Sequence, residues 1–297
     1  MRQFASIFVL AVSFFFSQEV FAALSINAPK FVKQGGVIRV AIKTDGSYNH
    51  CEVAFRGVVY NAVQENVSGY LAILPVSVTS EPGTAYAMII CNNDRNVLDN
   101  IILEIKIEKV DFPVARGVRF VGEMKGKLLA RFKSEKAELE KLFALITLQR
   151  YWQEDLRFSF PLKDMQITSP FGQIRHKVSN RYGKWDINHF GADLRADIGT
   201  PVFAAEDGIV RVAGNFLAEG NMVLIDHGYG LVSLYFHLSK LKVKKGDVVQ
   251  KGDKIALSGQ TAAREPHLHF EIRLYGVAVN PWEFMPEPPE AKSRGEK

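Results

Sequence analysis

Five residues in the second half of this 297-residue chain have side chains that bind divalent metals and move protons. They are His189 and Asp193 in His189-Phe190-Gly191-Ala192-Asp193, His237, and His267 and His269 in His267-Leu268-His269. Neutral imidazole and carboxylate are the ligands zinc takes outside all-thiolate sites. Three of them with a position left open make a catalytic zinc rather than a structural one. Two spare histidines beside such an ion could handle protons. The set points to a hydrolase.

The spacing constrains the backbone that must carry these residues. In a straight strand the Cα atoms of His189 and Asp193 would stand ~13 Å apart, too far to share one ion with ligand bonds of ~2 Å. A helix is disfavoured by Gly191 and by Gly199-Thr200-Pro201, so the chain is expected to bend, with Gly191 free to take positive φ. His267 and His269 fall on one face of a strand whose other face carries Leu268, Phe270, Ile272 and Leu274. His237 ends the run Val232–Phe236 and is expected to share a face with Tyr235 and Ser233. His227, in Asp226-His227-Gly228-Tyr229-Gly230, reads as a structural residue of a hairpin turn. His176 lies in a polar segment and reads as a solvated loop residue.

The surrounding chain reads as mostly β. Residues 23–111 show short alternating runs, among them Val37–Ile42, Leu71–Val76, Ala85–Ile90 and Ile101–Ile107, separated by turn residues. That spacing is expected of an immunoglobulin-like β-sandwich. Residues 112–156 form a connector. Ser134 is placed to cap a helix, and Leu139, Leu142, Phe143 and Ile146 repeat at helical spacing. Residues 157–286 read as a second β-rich domain holding all five metal-type residues, and 287–297 as a polar tail.

Residues 1–22 have the form of an export signal. A short positive start precedes an apolar run from Phe4 to Phe16, and Val20-Phe21-Ala22 supplies the small residues of a cleavage site. The run is too short to span a bilayer, so no membrane span is expected once the signal is cut. The two cysteines, Cys51 and Cys91, then reach an oxidising compartment, where a disulfide is expected. The net charge of +5 falls in the connector and the histidine-rich domain, which suits a polyanionic envelope. No basic stripe with interleaved aromatics points to nucleic acid.

The motifs resemble those of the lysostaphin/LytM-like zinc metallopeptidases, which cut peptidoglycan cross-links. The resemblance runs from about Phe158 to Phe284. It rests on Ser169-Pro170-Phe171-Gly172, on His189-Phe190-Gly191-Ala192-Asp193, on Tyr235-Phe236-His237-Leu238-Ser239, on Pro266-His267-Leu268-His269-Phe270-Glu271, and on the closing Asn280-Pro281. It implies one Zn2+ per chain on His189, Asp193 and His269, and catalytic roles for His237 and His267. It also implies a compact antiparallel β-fold with a groove and a substrate in the peptide stems of peptidoglycan. The export signal and the expected disulfide place the chain in the periplasm or cell envelope. Two departures concern the expected rim. Arg264-Glu265 stands where the family has Thr-Gly, and the arginine expected after Phe171-Gly172 falls one place late, at Arg175.

Two other readings use the same residues. Non-haem iron oxygenases also bind metal through two histidines and a carboxylate, but with H-x-D/E spacing. A non-catalytic LytM-like regulator of another cell-wall hydrolase would use the groove alone, and such domains have typically lost ligands that this chain keeps. No H-E-x-x-H glutamate is present to act as base, which leaves proton transfer to the histidines. The N-terminal domain has no cluster of catalytic residue types. Positioning substrate, docking an envelope partner and covering the groove all remain open to it.

Overall fold

A computed structural model describes residues 24–93, 98–152 and 156–286. The expected export segment 1–22 and the polar tail 287–297 lie outside the described residues. Strands dominate, and the described part contains one α-helix, Gly126–Phe143.

The N-terminal part packs two sheets face to face. One runs in the order Ser25–Asn27, Val37–Lys43, Gly69–Pro75, Val63–Asn66. The other runs Phe31–Lys33, Leu98–Glu108, Gly83–Asn92, His50–Phe55, Val58–Asn61. Alternating residues meet between them: Ile38, Val40, Ile42 and Leu74 from the first sheet, Val53, Phe55, Ile89 and Ile105 from the second. Cys51 and Cys91 lie opposite each other on neighbouring strands and are bridged, with a Cα–Cα distance of 4.2 Å. The bridge therefore staples two strands of one sheet.

The second domain is built on an antiparallel sheet. Its order is Ile167–Ser169, Ala192–Leu194, Leu268–Leu274, Leu231–Leu238, Gly220–Gly228, Gly208–Phe216, Val248–Val249, with Val277–Val279 also beside Leu268–Leu274. The expected strand is present from Leu268 to Leu274, with Leu268, Phe270, Ile272 and Leu274 buried in the core behind His269; His267 falls just before it, in an isolated bridge to Gly259. The hairpin at Tyr229-Gly230 is also present, but tighter than expected. Asp226 and His227 belong to the strand before it and are fully buried.

The connector differs from expectation in three ways, one being that the helix ends at Phe143 and leaves Ile146 outside it. Its helix begins at Gly126, with Lys125 at the N-cap and no side-chain cap, so Ser134 sits in mid-helix. The helix forms through packing of its apolar side: Leu139, Leu142 and Phe143 sit on Val212, Met222, Leu224 and Leu234 of the sheet. Before the helix, Val114–Phe120 forms a strand that sequence periodicity did not announce. It pairs in parallel with Ile174–Ser179, whose antiparallel partner is Gly183–Asn188. That hairpin occupies the segment read as a polar loop, and it places His176 on a strand.

The two domains are joined by specific contacts. The Arg39 guanidinium lies 5.2 Å from the Phe284 ring centre and donates to the Glu283 carbonyl at 3.1 Å. Tyr60 and Tyr275 meet edge to face at 4.8 Å. The N-terminal sandwich thus packs against the Tyr275 turn and the Glu283–Phe284 segment, and its Val37, Val63 and Ile73 join the second domain's core.

Replacing both cysteines with alanine removes a cross-link between residues 40 apart in sequence. It is expected to cost the N-terminal sandwich about 3 kcal/mol. Urea unfolding of the double variant should show an earlier transition, with metal content unchanged.

Candidate metal centre

The strand Ala192–Leu194 lies against Leu268–Leu274 with Asp193 directly opposite His269. His189 enters from the end of the groove hairpin, and the chain bends at Gly191 between it and Asp193. Gly191 does not take positive φ, contrary to expectation. What the site requires of it is the missing side chain. A Cβ there would stand 2.4 Å from the Phe270 carbonyl oxygen and 2.8 Å from His269 Nε2. Only glycine lets the bend lie flat on the neighbouring strand.

Three ligand atoms converge as a result. His269 Nδ1 is 2.8 Å from Asp193 Oδ1, His189 Nε2 is 3.1 Å from the same oxygen, and the two ring nitrogens are 3.0 Å apart. Ligands on a tetrahedral zinc with bonds near 2.0–2.1 Å are spaced by ~3.3 Å, close to this triangle. The donor set itself also calls for a cation. Two imidazole nitrogens face each other, and at most one can donate a proton to the other. Among the described residues, His189, Asp193 and His269 are the one group of this kind able to hold a metal ion.

The far sides of the imidazoles support this reading. His269 Nε2–H donates to Glu271 Oε1 at 3.0 Å, and Glu271 is in turn held by Arg273 at 2.7 Å. His189 Nδ1–H donates to the Pro170 carbonyl at 3.0 Å. Outer hydrogen bonds of this kind fix the tautomer that leaves the inner nitrogen free for metal. Phe236 stacks on the His269 ring at 5.1 Å and nearly parallel. Burial pushes the Asp193 carboxyl up, but hydrogen bonds from His189 and His269 outweigh it and hold the group well below the usual carboxylate range. Burial likewise opposes a charge on His269, yet the Asp193 and Glu271 carboxylates raise it to about 9. The two carboxylates thus hold a positive charge between them, and a metal ion can take the proton's place.

Arg175, which the sequence placed on the rim, lies inside the site. It donates to Asp193 Oδ2 at 2.6 Å and to Ser169 Oγ at 2.8 Å, leaving Oδ1 to the imidazoles. Both this residue and Glu271 stand at motif positions, but the sequence did not show that they support the metal ligands. The signal available was the i+2 spacing of His269, Glu271 and Arg273 along one strand face.

His237 and His267 flank the triangle. Their rings are 4.7 Å apart, and His267 Nε2 is 3.6 Å from Asp193 Oδ1. His237 does not share a face with Tyr235 and Ser233, which are buried in the core. Its φ of 62° breaks the strand alternation and turns the ring into the groove. Backbone strain of this kind collects at functional sites. Burial, with repulsion from His267 and His269, lowers the His237 imidazole to about 4. The Nδ1–H groups of His237 and His267 donate to the carbonyls of Thr261 (2.8 Å) and Glu265 (2.9 Å). In the neutral form of each ring these bonds leave Nε2 as the acceptor. Around these residues opens a groove of about 890 Å³, whose walls include Arg116, Arg119, His176 and Glu219.

Residues 187–281 match the family described as Peptidase family M23. The C-terminal part of the chain is an M23 peptidase domain. Vibrio cholerae peptidoglycan DD-endopeptidase ShyA is 42% identical over 39% of this chain and 26% of its own length. The Neisseria meningitidis DD-carboxypeptidase/endopeptidase Mpg is 39% identical over 41% of this chain and 27% of its own. The chain therefore spans about a quarter of the length of these curated relatives. A Pseudomonas aeruginosa crystal structure assigned to peptidase M23 shares the fold at a TM-score of 0.63, covering 84% of this chain and 93% of that one at 23% identity. The M23 match begins after Arg175 and the connector strand, so part of the groove wall lies outside the matched segment.

His227, outside the M23 centre, is fully buried between the Asp207 carbonyl (2.7 Å) and Ser233 Oγ (2.9 Å). Burial lowers it from its ordinary 6.5 to about 4.

Two outcomes follow. Glu271→Gln removes the anionic acceptor behind His269 and should weaken metal binding about 10–100-fold, read by chelator competition. For His227, the unfolded chain takes up a proton near pH 6.5 while the native fold refuses it until about 4. Its contribution is fully present above pH 6.5, is lost as pH falls towards 4, and is flat below that. The loss is roughly 3 kcal/mol. Urea unfolding between pH 7 and 4 should show it, with a shallower slope in His227→Gln.

Proposed function

We propose that the chain is an exported zinc-dependent endopeptidase that hydrolyses the peptide cross-links of peptidoglycan. The observation that carries this reading is the convergence of His189, Asp193 and His269 beside two histidines with free Nε2 atoms, at the floor of an open groove in an M23 domain. The names of the curated relatives, peptidoglycan DD-endopeptidase and DD-carboxypeptidase/endopeptidase, support the substrate class. No helix among the described residues is long and apolar enough to cross a membrane. Export rests on the signal-like residues 1–22, with cleavage after Ala22. In this reading the sandwich takes 23–111, the connector 112–156 and the zinc-peptidase domain 157–286.

His189 Nε2, His269 Nδ1 and Asp193 Oδ1 would hold one zinc ion. Zinc bound there supplies a Lewis acid that polarises an amide carbonyl and acidifies water. The remaining work falls to the protein. His267 Nε2 is the base that takes a proton from the attacking water, since it stands nearest the ligand oxygen and its Nδ1–H is committed to a carbonyl. His237 Nε2, neutral at working pH, orients that water as a second acceptor. Protonated His267 then passes its proton to the departing amine. Arg175 keeps the Asp193 Oδ2 occupied.

The test uses the chain from Ala23 onward on purified peptidoglycan, following new amines and cross-linked muropeptides. Zinc-dependent loss of cross-linked dimers, abolished by chelator and by His269→Ala, is the expected result. An intact muropeptide profile with stoichiometric zinc would sink the endopeptidase reading in favour of a regulator. His267→Ala should lower turnover by about 10²–10⁴ while metal analysis shows zinc retained. Metal loss as deep as in His269→Ala would overturn the assignment of roles.

A further inference from the structure

The connector strand Val114–Phe120 lies outside the M23 match and supplies one wall of the groove. It is held to the groove hairpin at both ends. Ile174 N–H donates to the Pro113 carbonyl at 2.9 Å, and Val121 N–H to the Val178 carbonyl at 2.8 Å. Between those points the register jumps. Val114 faces Ile174, yet Val118 already faces His176, so the connector strand carries extra residues that bulge out of the ladder. Gly117, at φ 81°, makes that bulge. The bulged segment from Ala115 to Arg119 lines the groove.

Two guanidinium groups ride on this bulge. Arg116 and Arg119 are exposed, and neither forms an ion pair with any described residue. Arg119 stands opposite Lys177 in the register, so like charges face each other across the pair. Burial first, then repulsion from Arg119 and Arg175, lowers the Lys177 ammonium. Arg175 is already committed to Asp193. The wall therefore carries positive charge that the protein itself does not neutralise, facing the groove of the metal centre. A folded chain gains nothing from such crowding, whereas a bound anion would relieve it. Guanidinium favours planar anions, above all carboxylate, through paired N–H donors.

We propose that Arg116 and Arg119 form a specificity subsite that receives a free carboxylate of the substrate peptide beside the scissile bond. This inference rests on the endopeptidase reading and names the substrate feature that the groove selects. The connector is then part of the substrate site as well as a link between domains.

The experiment compares two synthetic cross-linked peptides, identical except that one bears free carboxylates and the other carboxamides. The zinc-loaded chain from Ala23 onward is assayed beside its Arg116→Gln/Arg119→Gln variant. For the carboxylate peptide, the variant should raise KM about tenfold or more with kcat nearly unchanged. For the carboxamide peptide, the two proteins should be alike, with a KM near that of the variant. An Arg116→Lys/Arg119→Lys variant should recover only part of the loss, since an ammonium keeps the charge but not the paired donors. Both changes are on exposed side chains, and an unchanged urea transition verifies the fold. Equal KM for both peptides in the unmodified chain, or an equal loss on both in the glutamine variant, overturns the subsite while leaving the endopeptidase reading intact. Cleavage of neither peptide by the unmodified chain overturns both.

Discussion

The antiparallel pairing of Ala192–Leu194 with Leu268–Leu274 is the contact on which the site depends. It sets a carboxylate and an imidazole 76 residues apart in sequence at 2.8 Å. A carboxylate buried this far is costly unless it is paired. Here it is shared by two imidazoles on one oxygen and by Arg175 on the other. The strand pairing in turn requires Gly191, since any side chain there would collide with the partner backbone.

Support for this contact extends outwards in layers. Glu271 and Arg273 stand behind His269 on the same strand, and Phe143, at the end of the connector helix, lies 4.2 Å from the Arg273 guanidinium. Phe236 couples the metal side of the sheet to the cluster under that helix, because it both stacks on His269 and packs with Leu139. Glu135 of the helix accepts from the Leu217 N–H at 2.8 Å, fixing the turn that bears Glu219. The connector therefore braces the M23 domain twice, with its strand on the groove hairpin and its helix on the outer sheet face. Rigid outer support of this sort is what a preorganised metal site needs.

Much of this was legible in the chain itself. The strict alternation around His269 gave a strand with its apolar residues in the core, and the structure has it from Leu268 onward, with His267 just before the strand. The impossibility of a straight strand from His189 to Asp193 gave the bend. Short alternating runs gave a β-rich N-terminal part, and Cys51 and Cys91 gave a bridge. Less was visible where local pattern and tertiary packing disagree. Ser134 has the chemistry of a helix cap, but the helix runs through it because its apolar side has a sheet to cover. The run Ile174–Ser179 is too polar to read as a strand, and it forms one because two neighbouring strands satisfy its backbone.

Sequence by itself determined which residues could bind a metal, that His269 lies on the strand face opposite the apolar core, and that the chain must bend between His189 and Asp193. These follow from side-chain chemistry and from the fixed periods of helix and strand, which are local properties. Tertiary structure alone decided that His237 leaves the Tyr235 face for the groove, that Arg175 serves Asp193 rather than the rim, and that the connector strand walls the groove. Each of these depends on backbone torsion or register against a distant segment. Such pairing energies are set by what lies across the sheet, and no local pattern encodes them.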